Sequence, residues 1–226
     1  MKQRHRIKIG LFGGSFNPIH IGHLRAAEET REILNLEKIY FIPAALPPLK
    51  DLTNIAPPRD RLRMIKLAIK GNPFFKTSDI ELKREGLSYT IDTIKFFCSK
   101  FSDYELYFII GSELFPKIDT WKEYKSLFEL SNFAVITRPG FSKDLLSTLP
   151  LALKDEFRYY QRENNLTILK HKYSKTLALV QIEGIQLSST HLRNLINKKR
   201  SIKYLVTKEV EQYIKDTKLY LKETHR

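Results

Sequence analysis

Little cysteine, no long apolar run and a shortage of acidic side chains set the first limits on this 226-residue chain. Its one cysteine, Cys98, cannot close an intrachain disulfide, which fits a reducing compartment. Phe96 and Phe97 stand beside it in a helical pattern, so an inert buried thiol is expected. The basic start, Met1 to Arg6, is soon followed by glycines and His20, and no stretch is long enough for a signal-peptide core or a membrane span. A soluble, cytoplasmic protein is expected. Aspartate and glutamate total 25 against 39 lysines and arginines, leaving a formal charge of +14. That imbalance favours acidic partners, whether nucleic acid, nucleotides or phosphates. The lysines are scattered, however, and Lys198-Lys199-Arg200 is too short for a nucleic-acid patch, so most of the excess reads as solvated surface. No repeat, low-complexity tract or linker divides the chain. A single domain over 1–226 is expected, with 187–226 as a C-terminal helical portion.

What is present is an alternation of strand and helix signals. Arg6 to Phe12 reads as a first strand, ending near Phe12. A helix follows from about Ile21 to Asn35, and Lys38 to Ile42 reads as a second strand closed by Pro43. Pro47-Pro48 and Pro57-Pro58 stiffen the loop before a helix from about Arg59, with Leu62, Ile65 and Ile69 on its apolar stripe. Thr77 to Leu82 reads as a short strand. Ile91, Ile94, Cys98 and Phe101 form the stripe of the next helix. Leu106 to Ile110 is the clearest central strand and runs into Gly111. Trp121 is expected to begin a short helix, and Asn132 to Thr137 a strand stopped by Arg138-Pro139-Gly140. Residues 141–175 are polar, with helical potential around Leu151 to Arg162. Thr176 to Ile182 reads as the last strand, and helical patterns carrying His191, Arg193 and Ile196, then Val206, Val210, Tyr213 and Tyr220, close the chain. This alternation predicts an α/β fold: a doubly wound, mostly parallel, Rossmann-like sheet with helices on both faces.

Ligands of such sheets bind beyond the carboxyl ends of the strands. The stretch Gly13-Gly14-Ser15-Phe16-Asn17-Pro18-Ile19-His20-Ile21-Gly22-His23 lies at such an end and opens a helix. Two glycines let a ligand approach the backbone and permit positive φ. The helix N-terminus attracts anions. His20 and His23, three apart, can point into the same mouth. A double glycine, a strand end and two histidines in register outweigh the reading of a mere tight turn. A zinc site is the poorer alternative, because no cysteine or third acidic ligand stands at typical spacing. A second motif, Ser188-Ser189-Thr190-His191-Leu192-Arg193, combines helix-capping hydroxyls with a guanidinium one turn along, a good phosphate receptor. Neither motif is a Walker A loop.

The first of these motifs resembles the signature of the HxGH nucleotidyltransferase superfamily, and Ser-Ser-Thr-His-Leu-Arg resembles its second signature. More narrowly, Ser88-Tyr89-Thr90-Ile91-Asp92-Thr93, Trp121, Arg138-Pro139-Gly140 and Tyr204-Leu205-Val206 resemble segments of the bacterial nicotinate-nucleotide adenylyltransferases. The likeness runs from strand one to about Tyr220. It implies transfer of an adenylyl group from ATP to nicotinate mononucleotide, giving deamido-NAD and pyrophosphate. It further implies catalytic roles for His20, His23 and Arg193. Gly13, Gly14, Ser15, Phe16, Gly111, Ser188, Ser189 and Thr190 would join these three around ATP. Asn17, Lys50, Tyr89, Thr90, Trp121 and Arg138 would hold the mononucleotide. No protein metal ligands are implied; Mg2+ would be bound mainly through ATP phosphates. ATP and nicotinate mononucleotide are the implied partners, with no nucleic acid and no membrane, as a monomer or a homo-oligomer. For Thr90 the bland alternative is a helix cap, for Trp121 a half-buried core aromatic, and for Arg138 an exposed loop charge.

The chain departs from the family pattern at two places. Leu49 stands where a histidine is common and cannot donate to phosphate, so that contact is lost or taken over by Lys50. Glu113 stands where an aspartate is common in the Gly111 turn. Two competing readings are another superfamily enzyme, such as a pantetheine-phosphate adenylyltransferase, and a nucleic-acid-binding module accounting for the basic charge.

Overall fold

The first strand, β1 (Lys8–Gly14), shows how the sheet sorts its residues. In the computed structural model, which describes residues 6–48, 55–137 and 149–221, successive β1 side chains go to opposite faces. Ile9 and Leu11 join one apolar cluster and Phe12 the other. Neighbouring strands divide in the same way, which is why their runs are apolar throughout rather than alternating.

In chain order the elements are α1 (Ile21–Leu34), β2 (Lys38–Pro43), α2 (Pro58–Ala68), β3 (Phe75–Thr77) and α3 (Ile80–Lys83). Then follow α4 (Thr90–Lys100), β4 (Glu105–Gly111), a 3₁₀ turn (Phe115–Thr120), α5 (Tyr124–Leu130) and β5 (Asn132–Thr137). After the undescribed stretch come α6 (Leu151–Lys154), β6 (Phe157–Glu163), β7 (Leu166–His171), β8 (Thr176–Gln181), α7 (Ser189–Asn197) and α8 (Lys208–Thr217). The eight strands among the described residues form one sheet in the order β3-β2-β1-β4-β5-β8-β7-β6. Every ladder from β3 to β8 is parallel, and β7 and β6 add an antiparallel hairpin at the edge. One face is covered by α1, α2, α7 and α8, whose Ala27, Ile65, Leu192 and Val210 are fully buried. The other is covered by α4, the 3₁₀ turn, α5 and α6, through Ile94, Ile118, Leu127 and Leu153. The mostly parallel, doubly wound α/β sheet expected from the sequence is therefore present. Among the described residues no helix is long and apolar enough to cross a membrane.

Four local expectations need correction. β1 does not stop at Phe12: Gly13 pairs with Ile42 and Gly14 with Pro43, so both glycines are extended strand residues. The left-handed residue is Phe16, with φ 45°. Thr77 to Leu82 is not a strand; β3 ends at Thr77 and the chain turns into α3. Trp121 ends the 3₁₀ turn instead of opening a helix, its N–H donating to the Ile118 carbonyl at 3.0 Å. Residues 151–162 form only the short α6 before β6. That strand buries Phe157 alone, so solvent on both sides left it without an alternating pattern.

Candidate functional site

The chain runs outward from β1 to β2 and β3, then returns to lay β4 on the other side of β1. This reversal is the switch point where a parallel sheet opens a crevice at its carboxyl edge. A cleft of about 730 Å³ lies there. Its lining brings together Gly13, Gly14, Ser15, Phe16, Asn17, His20, His23, Gly111, Ser188, Ser189, Thr190 and Arg193. Tyr89, Thr90 and Trp121 line the same cleft. Lys50, Arg138 and the divergent Leu49 lie outside the described residues.

The two histidines are held by the helix they begin. His20 is the N-cap of α1 in extended conformation. Its Nδ1 accepts the His23 backbone N–H, and His23 Nδ1 accepts the His20 backbone N–H, each at 3.3 Å. This is a capping box built from imidazoles, satisfying two orphan donors. Because both Nδ1 atoms accept, a neutral ring carries its proton on Nε2. The rings stack with centroids 3.7 Å apart and planes 26° from parallel, and Phe16 packs edge-on to His23 at 5.1 Å. Gly22 makes this packing possible: a Cβ there would meet His20 Nδ1 and the Ile185 carbonyl, each at 3.1 Å.

The C-terminal motif docks directly on this turn. Ser188 caps α7, its Oγ accepting the His191 N–H at 3.1 Å. Ser189 Oγ donates to the Pro18 carbonyl at 2.9 Å. Arg193 donates from one terminal nitrogen to the Asn17 carbonyl at 2.8 Å and from the other to Thr190 Oγ1 at 3.2 Å. Imidazole, hydroxyl and guanidinium donors thus surround one mouth at the N-termini of α1 and α7, a setting that favours a polyanion.

On the other side of the cleft, α4 starts at Thr90 with Tyr89 at its N-cap position and no side-chain cap bond. Thr90 is therefore not a cap, and its bland reading is removed. Trp121 is half-buried, edge-on to Phe108 with centroids 6.4 Å apart. The Lys122 ammonium lies over the Tyr89 ring, 4.7 Å from its centre. The Glu113 carboxylate folds back against Gly111, into the space a Cβ there would take.

Among the described residues, three buried charged side chains went unnoticed in the sequence. Arg61 is fully buried. Burial lowers its pKa from the usual arginine value, though a guanidinium stays cationic at neutral pH. Its signal was a cation on the buried stripe of α2, four residues before Ile65. Glu81 lines the cleft, receives a 2.7 Å bond from Thr93 Oγ1, and is pushed above the ordinary carboxylate range by burial. Glu29, on α1, accepts the N–H groups of Glu183 at 2.7 Å and Gly184 at 3.1 Å, fixing the approach to α7. Nothing in the local sequence marks the Glu29 contact, which spans 154 positions.

Similarity to known proteins bears on the family and the fold. Residues 11–195 match the family model described as cytidylyltransferase-like. A protein of Geotalea daltonii named "Probable nicotinate-nucleotide adenylyltransferase" is 44% identical, covering 95% of this chain and 98% of its own. A Geobacter sulfurreducens protein of the same name is 39% identical over the same shares. Among solved structures, the Plasmodium falciparum nicotinic acid mononucleotide adenylyltransferase complexed with NaAD superposes with a TM-score of 0.70. It is 21% identical, covering 95% of this chain and 98% of its own, and so speaks for the fold. With a family match across most of its length and full-length relatives near 40% identity, the chain belongs to the cytidylyltransferase-like family and, within it, to the nicotinate-nucleotide adenylyltransferases.

Proposed function

We propose that the cleft transfers the adenylyl group of ATP to nicotinate mononucleotide, releasing pyrophosphate and forming deamido-NAD. The observation that carries this reading is the direct docking of the two anion-binding motifs. Arg193 and Asn17, 176 positions apart, meet at 2.8 Å at the edge of the crevice that also holds Tyr89, Thr90 and Trp121.

The acceptor's phosphate has a second pKa of about 6 and is largely dianionic at neutral pH, so no side chain need abstract a proton. One of its oxygens attacks the α-phosphorus of ATP. A new P–O bond forms as the bond from the α-phosphorus to the bridging oxygen breaks, and pyrophosphate leaves with that electron pair. The barrier lies in bringing two anions together in line and in stabilising charge on the leaving group. His20 and His23 offer Nε2–H donors on a rigid frame, and Arg193 a fixed positive charge. Together they act as transition-state stabilisers instead of acid–base catalysts. Gly13, Gly14, Ser15, Phe16, Gly111, Ser188, Ser189 and Thr190 surround the nucleotide. Asn17, Tyr89, Thr90 and Trp121 serve the acceptor, Trp121 by stacking on the pyridine ring.

Among the described residues no three His, Cys, Asp or Glu side chains gather as a metal site. Such a cleft fits Mg2+ carried in by the nucleotide, held by phosphate oxygens and water. Bound there, the ion would neutralise part of the triphosphate charge and favour departure of pyrophosphate.

Incubation with ATP and either nicotinate mononucleotide or phosphopantetheine tests the reading. Pyrophosphate release with the first acceptor alone is expected. Release with phosphopantetheine alone would overturn it. Salt-dependent nucleic-acid binding without any release would favour the binding-module alternative.

A further inference from the structure

Arg61 lies outside the cleft lining, yet its guanidinium is fully buried. A buried charge is tolerated only when its donors are matched. Here they are matched by main-chain carbonyls of three separate segments. Nε donates to Ala56 at 2.9 Å, one terminal nitrogen to Ser15 at 2.8 Å, and the other to Ala45 at 3.3 Å. Ser15 belongs to the glycine-rich turn, Ala45 to the loop after β2, and Ala56 to the approach to α2. An apolar residue would anchor α2 equally well; a fork of donors ties together three pieces of irregular backbone that have no ladder of their own.

The path continues on both sides. Asn17 Oδ1 accepts the Ala56 N–H at 2.9 Å, joining the turn to the same loop again. Ser88 Oγ accepts the N–H groups of Ala45 at 2.9 Å and Leu46 at 3.3 Å, and the Ser88 N–H donates to the Leu46 carbonyl at 3.0 Å. Glu81, which accepts from Thr93 Oγ1 of α4 at 2.7 Å, lines the same cleft as Ser88. An unbroken chain of hydrogen bonds therefore runs from Ser15 and Asn17, through Arg61 and the 45–46 backbone, to Ser88. Tyr89 and Thr90 follow at once.

We propose that Arg61 and Ser88 are positioning residues which set the separation between the triphosphate turn and the acceptor-binding segment. Ser88 acts on acceptor alignment and leaves ATP binding almost untouched, whereas Arg61, which also holds the Ser15 carbonyl, acts mainly on the acceptor and less on ATP. The proposal rests on the adenylyl-transfer reading above. In-line attack is steeply sensitive to placement, with a misplacement of about 1 Å costing on the order of a hundredfold. Cutting the path at Ser88 leaves the Arg61–Ser15 bond in place, and the Pro18 and Asn17 carbonyls are held by Ser189 and Arg193, so the phosphate side keeps its shape.

Kinetics of wild type, Ser88→Ala, Ser88→Thr and Arg61→Lys with ATP and nicotinate mononucleotide test it. Ser88→Ala should lower kcat/KM for the acceptor by roughly tenfold or more, with the ATP KM within about twofold. Ser88→Thr keeps the oxygen and should restore most of the loss. Arg61→Lys keeps charge without the fork and should cost the acceptor more than Ser88→Ala does, with a smaller rise in the ATP KM because Ser15 is loosened too; should it fail to fold, the Ser88 pair still decides. Equal rises in both KM values, an unchanged acceptor KM and kcat, or no rescue by threonine would overturn the proposal. An inactive wild type would overturn the adenylyl-transfer reading and the proposal with it; an active wild type with an unaffected Ser88→Ala overturns the proposal alone.

Discussion

His20 and His23 cap each other: each Nδ1 accepts the other's backbone N–H at 3.3 Å while their rings stack at 3.7 Å. Helix initiation and the presentation of two Nε2 donors are thereby a single arrangement. Changing one imidazole should disturb the site's chemistry far more than the fold.

Replacing His23 by Ala should lower kcat by about 10²–10³-fold, the usual loss when a preorganised donor to a developing charge is removed. Stability should fall by only about 1 kcal/mol, the typical value of a cap. Steady-state kinetics beside urea unfolding separate the two. An unaltered kcat would refute the role assigned to His23.

Trp121 sits half-buried at the end of the 3₁₀ turn, against Phe108 but not enclosed by it. Replacing it by Ala should remove a stacking surface worth about 1–3 kcal/mol. The KM for the mononucleotide should rise while that for ATP stays nearly constant. Equal weakening of both substrates would count against stacking on the pyridine ring.

Burial raises the Glu81 pKa above its unfolded value, so the folded protein holds a proton that the unfolded chain releases. The resulting contribution is complete below the unfolded pKa and is lost as pH rises through the folded one. Glu81→Gln keeps an oxygen for Thr93 and cannot ionise. Urea midpoints followed from about pH 4 upward should fall less steeply in the variant than in wild type. Identical slopes would show that Glu81 does not titrate abnormally.

Tyr220 follows α8 with φ 67°, and its hydroxyl is buried with no hydrogen-bond partner among the described residues. Burial raises its pKa, and Arg61 and Arg193 lie close enough to oppose that rise. Leaving such a hydroxyl unsatisfied costs about 1–3 kcal/mol. Tyr220→Phe should therefore be as stable as wild type or more so in thermal unfolding. A lower melting temperature would reveal a partner for the hydroxyl.

The legible parts of the chain were those in which one physical signal dominated. β2, β5 and β8 lie within a residue of their expected bounds, because strands covered on both faces are continuous apolar runs ended by proline or polar residues. The clustering of His20, His23, Tyr89, Thr90, Trp121, Ser189 and Arg193 follows from motif resemblance together with the switch-point rule. The β6–β7 hairpin was illegible because Phe157 is the sole buried residue of β6. The supporting shell was hidden for a different reason. Arg61 and Glu29 act through backbone groups far away in sequence, Glu81 meets the Thr93 hydroxyl, and neither periodicity nor composition records which carbonyl a buried guanidinium will meet.

The most direct measurement is a paired assay of the wild-type protein with ATP and either nicotinate mononucleotide or nicotinamide mononucleotide, following pyrophosphate and dinucleotide together. The account predicts equimolar pyrophosphate and deamido-NAD from the nicotinate acceptor. Pyrophosphate without dinucleotide, or no product with nicotinate mononucleotide, would contradict it.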